Sequence, residues 1–210
     1  MEEDQSESEE RINIMTLGNQ EVGKTCFIIK YTENNFQEVY LATIGIDFKV
    51  KNIIIKDMQY KLFFYDTTGQ ERYKSISLNI IKNAHGIILM YDITKKETFE
   101  SIPEWIKSVK EAKGDNFPMI LLGNKVDLED NREVSKEEGS NFAKENNIEF
   151  FETSNKNGIN INEAGKAIVN KILEKRQRDT LDNNSAKSLK TSKLNRNTIN
   201  SNADNSKKCC

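Results

Sequence analysis

Apolar residues fall along this chain in short runs separated by polar stretches with helical spacing. Ile12 to Leu17 forms the first run. Ile46 to Ile55 and Met58 to Tyr65 read as strands joined by a turn near Lys56-Asp57. Gly86 to Tyr91 is almost continuously apolar, which suits a parallel strand buried on both faces. Met119 to Leu122 and Ile148 to Phe151 are two more such runs. A first helix follows Lys24 and runs toward Thr32. Over 99–109, Phe99, Ile102, Trp105, Ile106 and Val109 recur at intervals of three and four. Pro103 is tolerable there only near a helix start, where its missing N–H costs least. Ala164, Ala167, Ile168, Lys171 and Ile172 share one face of a last helix. Strands alternating with helices predict an α/β fold, an open and mostly parallel sheet covered on both faces. Ligands then bind beyond the carboxyl ends of the strands.

Composition adds the ends. Hydrophobic residues make up 36% of the 210, and the deficit lies outside 11–173. Residues 1–10 hold six acids and read as a solvated arm. Residues 174–210 hold nine Lys/Arg against four Asp/Glu, a balance of +5. That Asn- and Lys-rich tail reads as unstructured, with a charge that attracts anionic lipid. A net charge of −2 argues against nucleic acid as the partner. No signal peptide or membrane-length apolar run is visible, so a reducing cytosol is expected. Cys26 then reads as a small core residue, and the terminal Cys209 and Cys210 as thiols rather than a disulfide. Trp105 reads as core, and His85, with no ligand-spaced neighbour, as structural.

Four motifs carry chemistry. Gly18-Asn19-Gln20-Glu21-Val22-Gly23-Lys24-Thr25 has the glycine and lysine spacing of a phosphate-binding loop, between a strand and a helix. Its backbone N–H groups and the helix N-terminus suit phosphate oxygens. Lys24 supplies a charge for the outer phosphates, and Thr25 a hydroxyl for Mg²⁺. Asp66 to Glu71 follows a strand. Asp66 is placed to hold Mg²⁺, Gly69 offers an N–H to a γ-phosphate, and Gln70 can orient water. Asn124-Lys125-Val126-Asp127 follows another strand. The Asp127 carboxylate matches the paired N–H donors of guanine, which adenine lacks. Thr153-Ser154-Asn155-Lys156 offers backbone N–H groups to the guanine carbonyl.

In this order, each at a strand end, the four motifs resemble those of the small GTPases of the Ras superfamily. Thr43 to Phe48, Asp66 to Tyr73, Ala84 to Thr94 and the final Cys209-Cys210 resemble the Rab group. The resemblance implies a three-layer P-loop GTPase fold of roughly six strands over 11–173. It also implies slow Mg²⁺-dependent hydrolysis of GTP to GDP in a membrane-anchored vesicle-trafficking switch. Lys24, Thr43 and Gln70 would carry the chemistry. Nucleotide contacts would come from Gly18 to Cys26, Phe36, Tyr40, Thr43, Asp66, Gly69, Asn124, Lys125, Asp127, Ser154, Asn155 and Lys156. Thr25, Thr43 and Asp66 would hold Mg²⁺. Cys209 and Cys210 would be prenylated and tether the protein to the cytoplasmic face of an intracellular membrane. The implied partners are an exchange factor, an activating protein, a GDP-dissociation inhibitor and an escort protein. Effectors would read 36–48 and 66–80.

Several positions depart from the pattern. Thr68 stands where alanine is usual, close to the reacting phosphate. Gln20 and Glu21 replace small residues, and Glu21 puts a carboxylate near phosphate. The effector-reading trio becomes Phe48, Tyr65 and Ile80. Asn155 replaces an alanine and reads as tolerable, because the backbone makes that contact. Two alternatives remain at this level. One is a nucleotide-holding module with turnover nearly abolished. The other is an ATP-using phosphate-loop enzyme, against which Asp127 argues.

Overall fold

A computed structural model describes residues 10–34, 46–67 and 81–203. Six strands form one sheet in the order β2-β3-β1-β4-β5-β6. They are β1 (Glu10–Leu17), β2 (Ile46–Ile55), β3 (Met58–Thr67), β4 (Gly86–Asp92), β5 (Met119–Asn124) and β6 (Glu149–Thr153). Among the described strands only β2 runs antiparallel; their other pairings are parallel. The β2–β3 hairpin closes through Lys56 and Asp57, both at positive φ (50° and 64°). Two such residues make the turn whose twist matches the flanking strands.

The helices are α1 (Lys24–Glu33), α2 (Lys96–Glu100), α3 (Ile102–Lys113), α4 (Lys136–Glu145) and α5 (Ile161–Ala203). The predicted helix over 99–109 is thus two. Pro103 stands in the first turn of α3, where it needs no N–H partner, and Phe99 belongs to α2. On one face of the sheet, Met15, Leu17, Ile87, Leu89 and Leu121 pack with Ile102, Ile106, Val109 and Ala143. On the other, Tyr31 of α1 meets Phe64 edge-on. Gly165 of α5 lies so close to Tyr31 that a Cβ would fall 2.0 Å from its ring.

Helix α4 has a capping box: Glu138 N–H donates to Ser135 Oγ, and Ser135 N–H donates to Glu138 Oε2. His85 is structural as expected, its Nδ1 accepting from the Asn13 N–H at 2.9 Å.

The chain divides into a unit ending at Ile172 and another from Leu173. Helix α5 continues into the second and is described to Ala203. No glycine or proline follows Gly165 within it, and its Lys, Arg, Leu and Gln residues favour helix. There Lys175 pairs with Asp179 one turn on. Among the described residues, no helix is long and apolar enough to cross a membrane.

Candidate functional site

The strand boundaries move the motifs slightly. Asp66 and Thr67 are the last residues of β3, and Asn124 the last of β5. Each therefore has its backbone held by a sheet neighbour, which fixes its side chain better than a loop would.

The phosphate loop leaves β1 at Gly18 and enters α1 after Gly23. Gly18 has φ +146°, and a Cβ there would lie 2.1 Å from the Met90 carbonyl oxygen. The loop presses on β4, so only glycine fits. Gly23, the residue before α1, has φ 101°, a backbone that side chains disfavour. Lys24 is 5% exposed. Its ammonium donates to the carbonyls of Gly18 (2.6 Å) and Asn19 (2.8 Å), so the positive charge stands inside the loop's curve. Asn19 is braced from outside: its Nδ2 donates to Ser101 Oγ at 3.1 Å. Trp105 Nε1 approaches Asn19 Oδ1 at 3.4 Å, a weak bond. Trp105 thus packs against the core, as expected, and also steadies the loop.

Two departures in this loop have plain outcomes. Gln20 is exposed. Glu21, at φ 63°, sends its carboxylate to the Lys95 ammonium at 3.1 Å. The pair is exposed, and the nearby carboxylate keeps Lys95 protonated to higher pH than usual.

Thr25 Oγ1 donates to Asp66 Oδ2 at 2.6 Å. Asp66 is buried. Among the described residues there is no cluster of three His, Cys, Asp or Glu able to hold a metal. A hydroxyl and one buried carboxylate at the phosphate loop nevertheless suit Mg²⁺, a hard cation that takes few protein ligands and shares substrate phosphates. Cys26 is half-buried rather than a core residue. Burial pushes its thiol pKa up, the Asp66 carboxylate adds to the rise, and Lys125 opposes it.

The two base-side motifs converge on this loop. Asn124, 1% exposed, donates from Nδ2 to the Val22 carbonyl at 2.8 Å and accepts from Thr153 Oγ1 at 3.1 Å. Ser154 Oγ donates to Asp127 Oδ1 at 2.5 Å, and Asn157 N–H donates to Ser154 Oγ at 3.0 Å. The Asp127 carboxylate is thereby aimed from behind. Lys125, at φ 71°, places its ammonium 2.6 Å from Asp92 Oδ2. Asp92 is fully buried, and its Oδ1 accepts the Thr94 N–H and hydroxyl at 2.9 and 2.7 Å. Asn155 differs from expectation. Its side chain does not merely fit: Nδ2 donates to the Gly23 carbonyl at 2.9 Å.

Gly18 to Cys26, Asp66, Asn124, Lys125, Asp127, Ser154, Asn155 and Lys156 are therefore all described, and they lie at or just beyond the carboxyl ends of β1, β3, β5 and β6. Phe36, Tyr40, Thr43, Thr68, Gly69, Gln70, Ile80, Cys209 and Cys210 lie outside the described residues. Sequence reasoning missed Asp92, Lys95, Ser101 and the second role of Trp105. Only Asp92 left a signal, a carboxylate closing an unbroken apolar strand.

A family model described as Ras family matches residues 13–174. Rab-13 of Bos taurus is 44% identical over 171 residues, covering 81% of this chain and 84% of that protein. Rab-13 of Rattus norvegicus is 44% identical over 162 residues, with 77% and 80% covered. Human Rab-3A is 43% identical over 162 residues, with 77% and 74% covered. With motif residues at four strand ends gathered on one side of the sheet, and likeness on this scale, the chain belongs to the Ras family and, within it, to the Rab small GTPases.

Proposed function

We propose that this GTPase switch holds its nucleotide with the phosphates in the loop 18–25 and the base between 124–127 and 153–156. The carrying observation is the Asn124 carboxamide, which joins all three segments through Val22 and Thr153. A ligand bridging phosphate loop and base loops meets one braced site, so little ordering is left to oppose binding.

Lys24 would turn from the Gly18 and Asn19 carbonyls to the outer phosphates. Asp127, aimed by Ser154, would accept from the guanine N1–H and 2-amino group. Thr25 and Asp66, with Thr43, would hold Mg²⁺, which neutralises phosphate charge when bound. Gln70 would orient the water that attacks the γ-phosphorus as the bond to the bridging oxygen breaks, releasing GDP and phosphate. Thr43 would engage only while the γ-phosphate is present, so segments 36–48 and 66–80 would change order on hydrolysis. Effectors, an exchange factor, an activating protein, a GDP-dissociation inhibitor and an escort protein would read that change. Prenylated Cys209 and Cys210, helped by the basic residues before them, would anchor the chain at the cytoplasmic face of an intracellular membrane.

Single-turnover GTP hydrolysis with Mg²⁺ tests this reading, comparing the parent with Gln70→Leu and Thr68→Ala, with ATP as competitor. Turnover that falls in Gln70→Leu and resists ATP is expected, and faster turnover in Thr68→Ala would mark that hydroxyl as a brake. Equal turnover in the parent and Gln70→Leu, or displacement of GTP by equimolar ATP, would overturn it.

A further inference from the structure

Two neighbouring carbonyls of the phosphate loop are each held by a carboxamide. Val22 accepts from Asn124, and Gly23 accepts from Asn155 at 2.9 Å. The two amides crowd one point, since a Cβ on Gly23 would meet Asn124 Nδ2 at 2.4 Å and Asn155 Nδ2 at 2.7 Å. Asn155 is 5% exposed, and its Oδ1 is buried with no hydrogen-bond partner among the described residues. Burying an unpaired acceptor costs free energy. An apolar residue of similar size would avoid that cost. What this side chain has in return is its bond to Gly23, the residue immediately before α1.

We infer that Asn155 is a positioning residue that lengthens nucleotide dwell time by clamping the 153–156 loop to the phosphate loop. This rests on the nucleotide reading above. A nucleotide spanning the two loops leaves when they part, and the Asn155–Gly23 bond must break in the same movement. The clamp stands beside that of Asn124, which holds the neighbouring carbonyl from a different strand. It also differs from any backbone contact by residue 155, because it runs through the side-chain amide.

The test is release of fluorescent GDP from the full chain, chased with excess GDP, for the parent, Asn155→Ala and Asn155→Asp. Loss of one such bond is expected to speed release about 3- to 10-fold in Asn155→Ala. Asn155→Asp keeps the size of the side chain but, when ionised, has no donor and faces a carbonyl. It should release at least as fast as the alanine variant near about pH 8, and slow toward the parent near about pH 5.5 as the buried carboxyl regains an O–H. Parent and alanine variant should not share that profile, which simple loss of packing would not produce. Release from both variants within twofold of the parent overturns the inference. So does an aspartate variant as slow as the parent at alkaline pH. A parent that binds no GDP overturns the nucleotide reading itself, and this inference with it.

Discussion

Replacing Asn124 with alanine should loosen the nucleotide and lower stability together. The substitution removes the donor to the buried Val22 carbonyl and the acceptor for the fully buried Thr153 hydroxyl. Each orphaned group costs about 1–3 kcal/mol, so the pair sets a range of about 2–6 kcal/mol. Water entering the volume of the lost carboxamide relieves part of this, which puts the effect at about 3 kcal/mol. For a chain of this size that lowers the unfolding midpoint by about 6–12 °C. Because the broken bonds join the segments the nucleotide spans in the proposed reading, GDP release should also accelerate, by about 10- to 100-fold if half to most of the energy is lost from the bound state. Thermal unfolding followed by circular dichroism, with and without GDP, reads the first quantity. Stopped-flow release of fluorescent GDP reads the second. An unchanged release rate beside a lowered midpoint would refute the reasoning, because the bonds would then hold the fold and not the site. A midpoint within a degree of the parent would refute the energetic estimate.

Two further expectations follow from charge. Glu21→Ser should change GDP release less than twofold, since the Glu21–Lys95 pair is exposed at both ends and such pairs contribute under about 1 kcal/mol; a fivefold slowing would show that the carboxylate acts on phosphate instead. The Glu138 carboxyl is held below its usual pKa of 4.5, first by the Ser135 N–H bond. A depressed folded-state value means that its contribution is present above pH 4.5 and disappears as pH falls through that lower value. The midpoint difference between parent and Glu138→Ala should therefore be present at about pH 7 and shrink at about pH 3; an equal difference at both would exclude the ionised cap.

Much of this protein was legible along the chain because its signals are local. The unbroken apolar runs of β4 and β5 mark strands buried on both faces, whatever else the chain does. The hairpin turn at Lys56-Asp57 sits between two alternating segments. The phosphate loop is readable because glycine, lysine and threonine must occur at fixed spacing for backbone N–H groups to face one anion. Asp127 is legible as a candidate because a carboxylate has a particular match in guanine. The split of α2 from α3 was harder, since the apolar spacing from Phe99 to Val109 runs straight across it and only Pro103 marks a start. Helix α4 carried a sequence signal, Ser135 three residues before Glu138, that apolar spacing alone overlooks.

What the sequence determined by itself was the alternation of strand and helix, the four candidate motifs, and the family. What only the tertiary structure decided was which side chains brace those loops. Asn124 meets Val22 across 102 positions of chain, and Asn155 meets Gly23 across 132. Asp92 stands behind Lys125, Ser101 and Trp105 behind Asn19, and Lys95 across from Glu21. Hydrogen bonds and ion pairs act over about 3 Å, so they depend on which residues the fold brings together and leave no periodic trace in the chain. The sheet order β2-β3-β1-β4-β5-β6 is what lines up the four strand ends, and with it an asparagine expected only to be tolerated becomes a clamp.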